Sequence, residues 1–248
     1  MLSELMALAL IALSAGSILR QVASNEQKQD ILRSQYCFHE HVSYRFSRET
    51  TLRTGTLDYE VIYLHGDQYP KLVLRNNQQV PDAQQDEQKD GRAPDGGEHP
   101  WFTGGAFQNA MGINRRWFDS SCLTEHKLLR QGTLAGRKSW VIESKPSEGA
   151  NTPDLCGMEI TRRLVWIDQQ DMVVSRREID AALTDRLRLS ISMVYEKGSG
   201  PTWLLRVAEI NGWIKGPASK IPVEERHQFS EYRRFDVDSG ITYHDKVR

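Results

Sequence analysis

From residue 186 to 196 the chain alternates with a period of two. Leu187, Leu189, Ile191, Met193 and Tyr195 fall on one side, and Arg186, Arg188, Ser190, Ser192 and Glu196 on the other, with Val194 the exception there. Successive side chains of a β-strand project to opposite faces, so this segment reads as a strand with one apolar and one wet face. A strand of that kind belongs to a sheet whose apolar face must be covered by a second sheet, by helices, by closure on itself or by a ligand. Further strand-like segments occupy residues 36–46, 59–64, 69–74, 140–143, 163–168, 172–183, 203–208 and 223–235. The links between them are mostly short and carry Gly, Asp, Asn or Pro, as in His65-Gly66-Asp67-Gln68, read as a four-residue hairpin connection, and Leu134-Ala135-Gly136-Arg137. Links of that length suit up-and-down antiparallel pairing. Helical character is confined to a polar stretch at 26–32 and an aromatic stretch at 107–118. The expected fold is therefore α+β but mostly β: a curved antiparallel incomplete barrel, with a few helices covering its concave apolar face.

Two segments depart from this pattern. Residues 81–99 shift sharply to Asp, Gln, Glu, Lys, Gly and Pro, a composition that buries almost nothing and reads as a solvated loop insert. Residues 5–18 form an uncharged run of small and apolar side chains ending before Arg20. That run is too short for a transmembrane helix and suits the core of a signal peptide. Small residues fit for cleavage lie at Ser14, Ala15, Gly16 and Ser17, and again at Ala23 and Ser24. An uncleaved anchor and an ordinary buried helix are the alternatives. The organisation expected is a signal peptide or N-terminal anchor at 1–24 and a single domain at 25–248.

Lys and Arg number 32 against 33 Asp and Glu, so the formal charge of -1 gives no basic excess for a nucleic-acid partner. The odd set of Cys37, Cys122 and Cys156 leaves at least one thiol outside any intrachain pair. An exported chain is expected to hold one disulfide and one buried thiol, with the pairing open.

Candidate chemistry is sparse. Cys37, His39 and His41 share one face of a strand and could begin a zinc site if His65 or His126 arrived as a further ligand, but ordinary sheet surface is the commoner use of such residues. No Gly-x-Ser-x-Gly elbow and no phosphate-cradling glycine loop is present. The acidic pair Glu224-Glu225 reads as solvated strand residues. No catalytic residue, metal or cofactor is assigned, and the chain is not expected to be an enzyme. The aromatic cluster of Trp101, Phe102, Phe107, Trp117 and Phe118 is either core or a lid over a groove. Leu187, Leu189, Ile191 and Met193, together with Leu164 and Trp166, face the same choice.

Four segments in order resemble the bacterial lipoprotein-carrier superfamily, whose members include the periplasmic carrier LolA, the outer-membrane receptor LolB and the stress regulator RseB. They are residues 59–66 continuing to Val80-Pro81, residues 132–146, Leu164-Val165-Trp166-Ile167-Asp168 followed by residues 173–179, and residues 229–235. The strand ending in Trp-Ile-Asp before a turn and a basic returning strand is the most telling. The resemblance spans residues 36–235. It implies a half-barrel with a helical lid over an apolar cavity that receives acyl chains, and a periplasmic or cell-envelope location. The implied ligand is a lipid or a lipoprotein's acyl chains. On that basis Leu164, Trp166, Leu187, Leu189, Ile191, Met193, Trp117 and Phe118 are the cavity candidates. The protein would be a carrier or receptor, peripheral to the membrane or without stable insertion once cleaved. The alternative is an envelope regulatory or structural module that binds a protein partner through the same sheet.

Overall fold

The computed structural model describes residues 14–33, 35–48, 51–64, 67–81, 124–146, 159–183, 187–216 and 219–234. Its helix α1 spans Ala15–Arg33. The strands are β1 (Tyr36–Arg48), β2 (Thr51–Leu64), β3 (Asp67–Arg75), β4 (Gln78–Gln79), β5 (Thr124–Leu134), β6 (Arg137–Pro146), β7 (Glu159–Asp168), β8 (Val174–Leu183), β9 (Leu187–Lys197), β10 (Trp203–Lys215) and β11 (Lys220–Arg234). They form one antiparallel sheet of eleven strands in the order β4-β3-β2-β1-β11-β10-β9-β8-β7-β6-β5. Two runs of consecutive strands are joined where β11 pairs with β1, so the late chain is stitched beside the early chain. The ends of the sheet do not meet, and the expected open, incomplete barrel is what forms.

Local turn chemistry sets the registers. Asn76 and Asn77 adopt φ of 50° and 62° between β3 and β4, and Ala135 and Gly136 adopt 48° and 78° between β5 and β6. Positive φ at both central residues gives the turn whose twist matches a two-residue hairpin. Between β2 and β3, Leu64 pairs directly with Asp67, so the connection is tighter than the four residues expected and β3 begins at Asp67. The strands also run longer than their sequence signals: β2 starts at Thr51, β10 continues to Lys215, and β5 carries no clear alternation at all. The expected insert at 81–99 and helix at 107–118 lie outside the described residues, as do Cys122 and Cys156. Cys37 holds a free, half-buried thiol.

The helix differs from expectation in its start. It begins at Ala15, where Ser14 caps it by accepting the Ser17 amide on Oγ at 3.2 Å. Its buried residues Ala15, Ile18, Leu19, Val22, Glu26 and Gln29 follow helical spacing along one face. Nineteen residues at about 1.5 Å each give about 28 Å, enough to cross the five inter-strand spacings, about 24 Å, from β10 to β5. Its neighbours on the sheet are indeed β10 and β5.

Polar anchors fix that crossing. Gln29 uses both ends of its amide: Nε2 donates to the Pro201 carbonyl at 2.9 Å, and Oε1 accepts the Trp203 amide at 2.7 Å. Glu26 accepts the Val174 amide at 2.9 Å, Asn25 donates to the Asp171 and Met172 carbonyls, and Arg33 donates to the Trp203 carbonyl at 2.7 Å. All these partners lie at the β7–β8 and β9–β10 turns, so α1 is pinned over one end of the strands.

The same end holds a charged hub. Asp168, the last residue of β7, accepts the Arg137 guanidinium through two bonds of 2.6 and 2.8 Å, and also the Gln170 and Asp171 amides. Burial opposes its charge, but these donors outweigh it and hold its carboxyl below the usual range. Asp171 in turn accepts from Arg137, Lys197 and the Trp203 indole. The Trp-Ile-Asp ending thereby ties three hairpin turns together.

Candidate functional site

Cross-strand pairing defines rows of side chains across the inner face of the sheet, the face that carries α1 and the core. One row runs Tyr44, Glu225, Ile210, Ile191, Ile179, Arg163, Ser144, His126 from β1 to β5. The next runs Val42, His227, Ala208, Met193, Arg177, Val165, Ile142, Leu128. Over β9 and β10 these rows are wholly uncharged: Ile191, Met193, Ala208 and Ile210 are buried and belong to the hydrophobic core, as does Leu189 in the row beyond. To either side, each row meets charge.

On the β1–β11 side, His227 is fully buried at 0% exposure between Glu40, 2.7 Å from its Nδ1, and Glu225, 3.5 Å from its Nε2. Burial alone would discourage the imidazolium, yet the two carboxylates outweigh it and lift the pKa to about 9. At neutral pH this is a buried acid–base–acid triad. Tyr232 nearby is pushed well above its ordinary value by burial and by Glu40, and its hydroxyl donates to the Leu205 carbonyl.

On the β5–β8 side lie Arg163, at 5% exposure, and Arg177, at 1%. Arg163 Nη2 donates to Ser144 Oγ at 3.0 Å, and the same hydroxyl lies 2.8 Å from His126 Nδ1. Partial burial and then the Arg163 charge hold the His126 pKa below its ordinary value. The outer face is different again. It carries ladders of exposed ion pairs, such as Arg226 with Glu209 at 2.6 Å and Arg162 with Glu143 at 3.2 Å, each contributing little to stability.

The cavity candidates are divided by this geometry. Leu189, Ile191 and Met193 sit together on the inner face. Leu187 pairs with Ile214 and Leu183 at the start of β9. The inner positions of β7 are Arg163, Val165 and Ile167, and Leu164 and Trp166 project to the opposite face. There Leu164 pairs with Glu178, and the Arg176 guanidinium stacks 5.0 Å over the Trp166 ring. Residues 164–167 are apolar without a break, so no alternation marks which face is which. Trp117 and Phe118 lie outside the described residues. Glu225 is a correction, being buried beside His227 while its neighbour Glu224 is exposed.

Among the described residues the candidate zinc ligands do not gather at one point, and His65 lies outside those residues. His41 is bonded to Asp58 at 2.7 Å, His126 lies on β5 at the far flank, and no metal-holding cluster forms among the described residues. No helix among them is long and apolar enough to cross a membrane.

The fold so defined is an open antiparallel half-barrel with a helix laid across one end of its inner face. Several solved structures match it at low sequence identity. A DUF1329 family protein from Desulfovibrio piger matches with a TM-score of 0.43 and 14% identity, over 90% of this chain and 95% of that one. A putative outer membrane lipoprotein-sorting protein domain from Vibrio parahaemolyticus matches with 0.41 and 11%, over 92% and 96%. A LolA superfamily protein from Nitrosomonas europaea matches with 0.30 and 13%, over 90% and 94%. No protein-family model and no curated protein matches the sequence.

Proposed function

We propose that this protein is an exported carrier or receptor of the bacterial cell envelope that binds the acyl chains of a lipid or lipoprotein, without catalysing a reaction. The observation that supports this most is the uncharged band of Ile179, Ile191, Ile210, Met193 and Ala208 across β8–β10, set inside an open sheet. Among the described residues, the polar anchors of the helix lie at the β7–β8 and β9–β10 turns, at one end of those strands. Each methylene buried there is worth about 0.8 kcal/mol, so a single long chain suffices for reversible binding. Native mass spectrometry and lipid extraction of the purified protein, with titration of a fluorescent fatty acid, test the proposal. Co-purifying lipid and saturable binding are expected; neither lipid nor fatty-acid binding would overturn it.

A second reading, a module that binds an envelope protein, is favoured by β5. This strand ends the described sheet, and each residue from Glu125 to Gln131 is exposed. An unsheltered edge can take an added strand from a partner. Recovery of one membrane protein in pull-downs from delipidated extract, lost when β5 is altered, would favour that reading.

A further inference from the structure

The outer face of the sheet holds a hollow that the acyl-chain reading does not use. One outer row runs Asp180, Ser190, Asn211, Glu224, Arg45 from β8 to β1, and the next runs Ala182, Arg188, Trp213, Pro222 from β8 to β11. Short side chains at Ala182 and Ser190 lie between long ones, which leaves the surface low over β8 and β9. The result is a cavity of about 480 Å³ walled by Arg188 and Trp213, with Ser190 and Asn211 beside them. A second hollow of about 400 Å³ meets it at Asn211 and continues past Glu224 and Arg226 to Ser43. Both volumes are in the range of small-molecule sites.

The lining of the first hollow suits a polyhydroxylated ring better than a hydrocarbon. Trp213 is half-buried and stands directly opposite Arg188 in the β9–β10 pair, which puts their Cβ atoms about 5 Å apart. An indole offers a broad apolar face of negative quadrupole, which attracts the polarised C–H groups on one side of a sugar ring. Lys220 steadies that indole, its Nζ lying 4.1 Å from the ring centroid. The exposed Ser190 hydroxyl and Asn211 amide supply the mixed donors and acceptors that a rim of sugar hydroxyls needs.

Charge selects among sugars. Each outer-face acid of the two hollows is met by an arginine: Asp180 by Arg162 at 3.5 Å, Glu209 by Arg226 at 2.6 Å and Glu224 by Arg45 at 3.8 Å. Arg188, by contrast, is exposed and enters no ion pair among the described residues, and Lys220 adds a second cation beside the indole. The balance at Trp213 is positive.

We propose that this hollow binds an acidic saccharide, with one ring stacked on Trp213, a carboxylate on the Arg188 guanidinium, and hydroxyls on Ser190 and Asn211. A planar guanidinium fork matches a carboxylate in two parallel bonds. Because Arg188 is exposed, its contact contributes about threefold in affinity and is screened by salt. The site lies on the opposite face from the apolar core and does not depend on the acyl-chain reading.

The test offers the full purified chain a hyaluronan tetrasaccharide, which alternates glucuronate with N-acetylglucosamine, and chitotetraose as the neutral counterpart, by titration calorimetry. Wild type is expected to bind the acidic glycan about threefold or more tighter than the neutral one, with the advantage shrinking as salt rises. Trp213→Ala should weaken both glycans by about threefold to tenfold, and Arg188→Gln should remove only the acidic preference. Lys71→Gln, at an exposed cation on β3, should change neither. Failure of wild type to bind either glycan, or equal binding of the two, would overturn the proposal without any variant having to fold. An effect of Lys71→Gln as large as that of Arg188→Gln would reduce the preference to general electrostatic attraction and overturn it as well. Flotation with phosphatidylglycerol vesicles that depends on Trp213 and Arg188, in the absence of glycan binding, would assign the surface to a membrane instead. Retention of fatty-acid binding by both variants is expected, and its loss would overturn the separation of the two sites.

Discussion

Raising the pH should weaken this fold through a single side chain, His227. Its ring is fully buried, with Glu40 at 2.7 Å and Glu225 at 3.5 Å. Burial disfavours the imidazolium, but the two carboxylates outweigh it and raise the pKa from 6.5 in the unfolded chain to about 9 in the folded one. A group whose folded pKa is raised contributes its stability in full below the unfolded value and loses it as pH climbs through the folded one. The window is therefore pH 6.5 to about 9, and the shift corresponds to about 3 kcal/mol. Urea unfolding followed by tryptophan fluorescence at steps from about pH 6 to pH 9.5 should show wild type losing that amount. His227→Gln removes the cation and strands two buried acids, so it should start about 3–5 kcal/mol lower. Its curve should lack the alkaline loss specific to His227, so the two curves converge as pH rises. Titrations common to both proteins cancel in the difference. Parallel curves across the window would refute the buried triad as a source of stability.

The helix start and one sheet glycine lead to two further outcomes. Removing residues 1–24 deletes Ile18, Leu19 and Val22 from the core, at about 1.5–3 kcal/mol each. A chain starting at Asn25 should melt far below one starting at Ser14, or fail to fold, and equal melting temperatures would show that α1 is dispensable; any natural processing is accordingly expected N-terminal to Ala15, readable by intact mass. A Cβ at Gly212 would press on the Arg188 carbonyl, whereas one at Gly200 would meet open space. Gly212→Ala should cost about 1–3 kcal/mol in denaturation, with Gly200→Ala as the near-neutral control.

Much of the sheet was legible because its strands alternate. Residues 187–195 alternate between apolar and polar, and the structure puts Leu189, Ile191, Met193 and Tyr195 on the core side as that pattern requires. The helix was only half legible. Residues 26–32 look helical on their own, but Ala15, Ile18, Leu19 and Val22 belong to a run that also suits an export signal, and only packing on the sheet shows their structural use. The side of the sheet taken by Leu164 and Trp166 was not legible, for a different reason. Apolar side chains stand on both faces of β7, so hydrophobicity does not distinguish its sides; the pairing with β8 does, and there the inner position opposite Ile179 belongs to Arg163.

The inner-face charges were the least legible, because their partners are remote in the chain. Glu40 and His227 are 187 residues apart, and neither position looks unlike a solvated strand residue until β11 is laid beside β1. A hint was available in β11: residues 224, 226, 228 and 230 are all polar, so Val223, Glu225, His227 and Phe229 must share the other face. Two apolar residues at the ends of that set commit Glu225 and His227 to the interior, where each acid needs a cation. The same logic applies to Arg163 and Arg177, which share inner-face rows with Ile179 and Met193. From Leu189 to Tyr195 on β9, and at Ala208 and Ile210 on β10, the inner positions are apolar, and Glu225, His227, Arg163 and Arg177 stand on the strands to either side. An acyl chain placed over Leu189, Ile191, Met193, Ala208 and Ile210 would touch only apolar wall, with the Glu40–His227–Glu225 triad to one side of it.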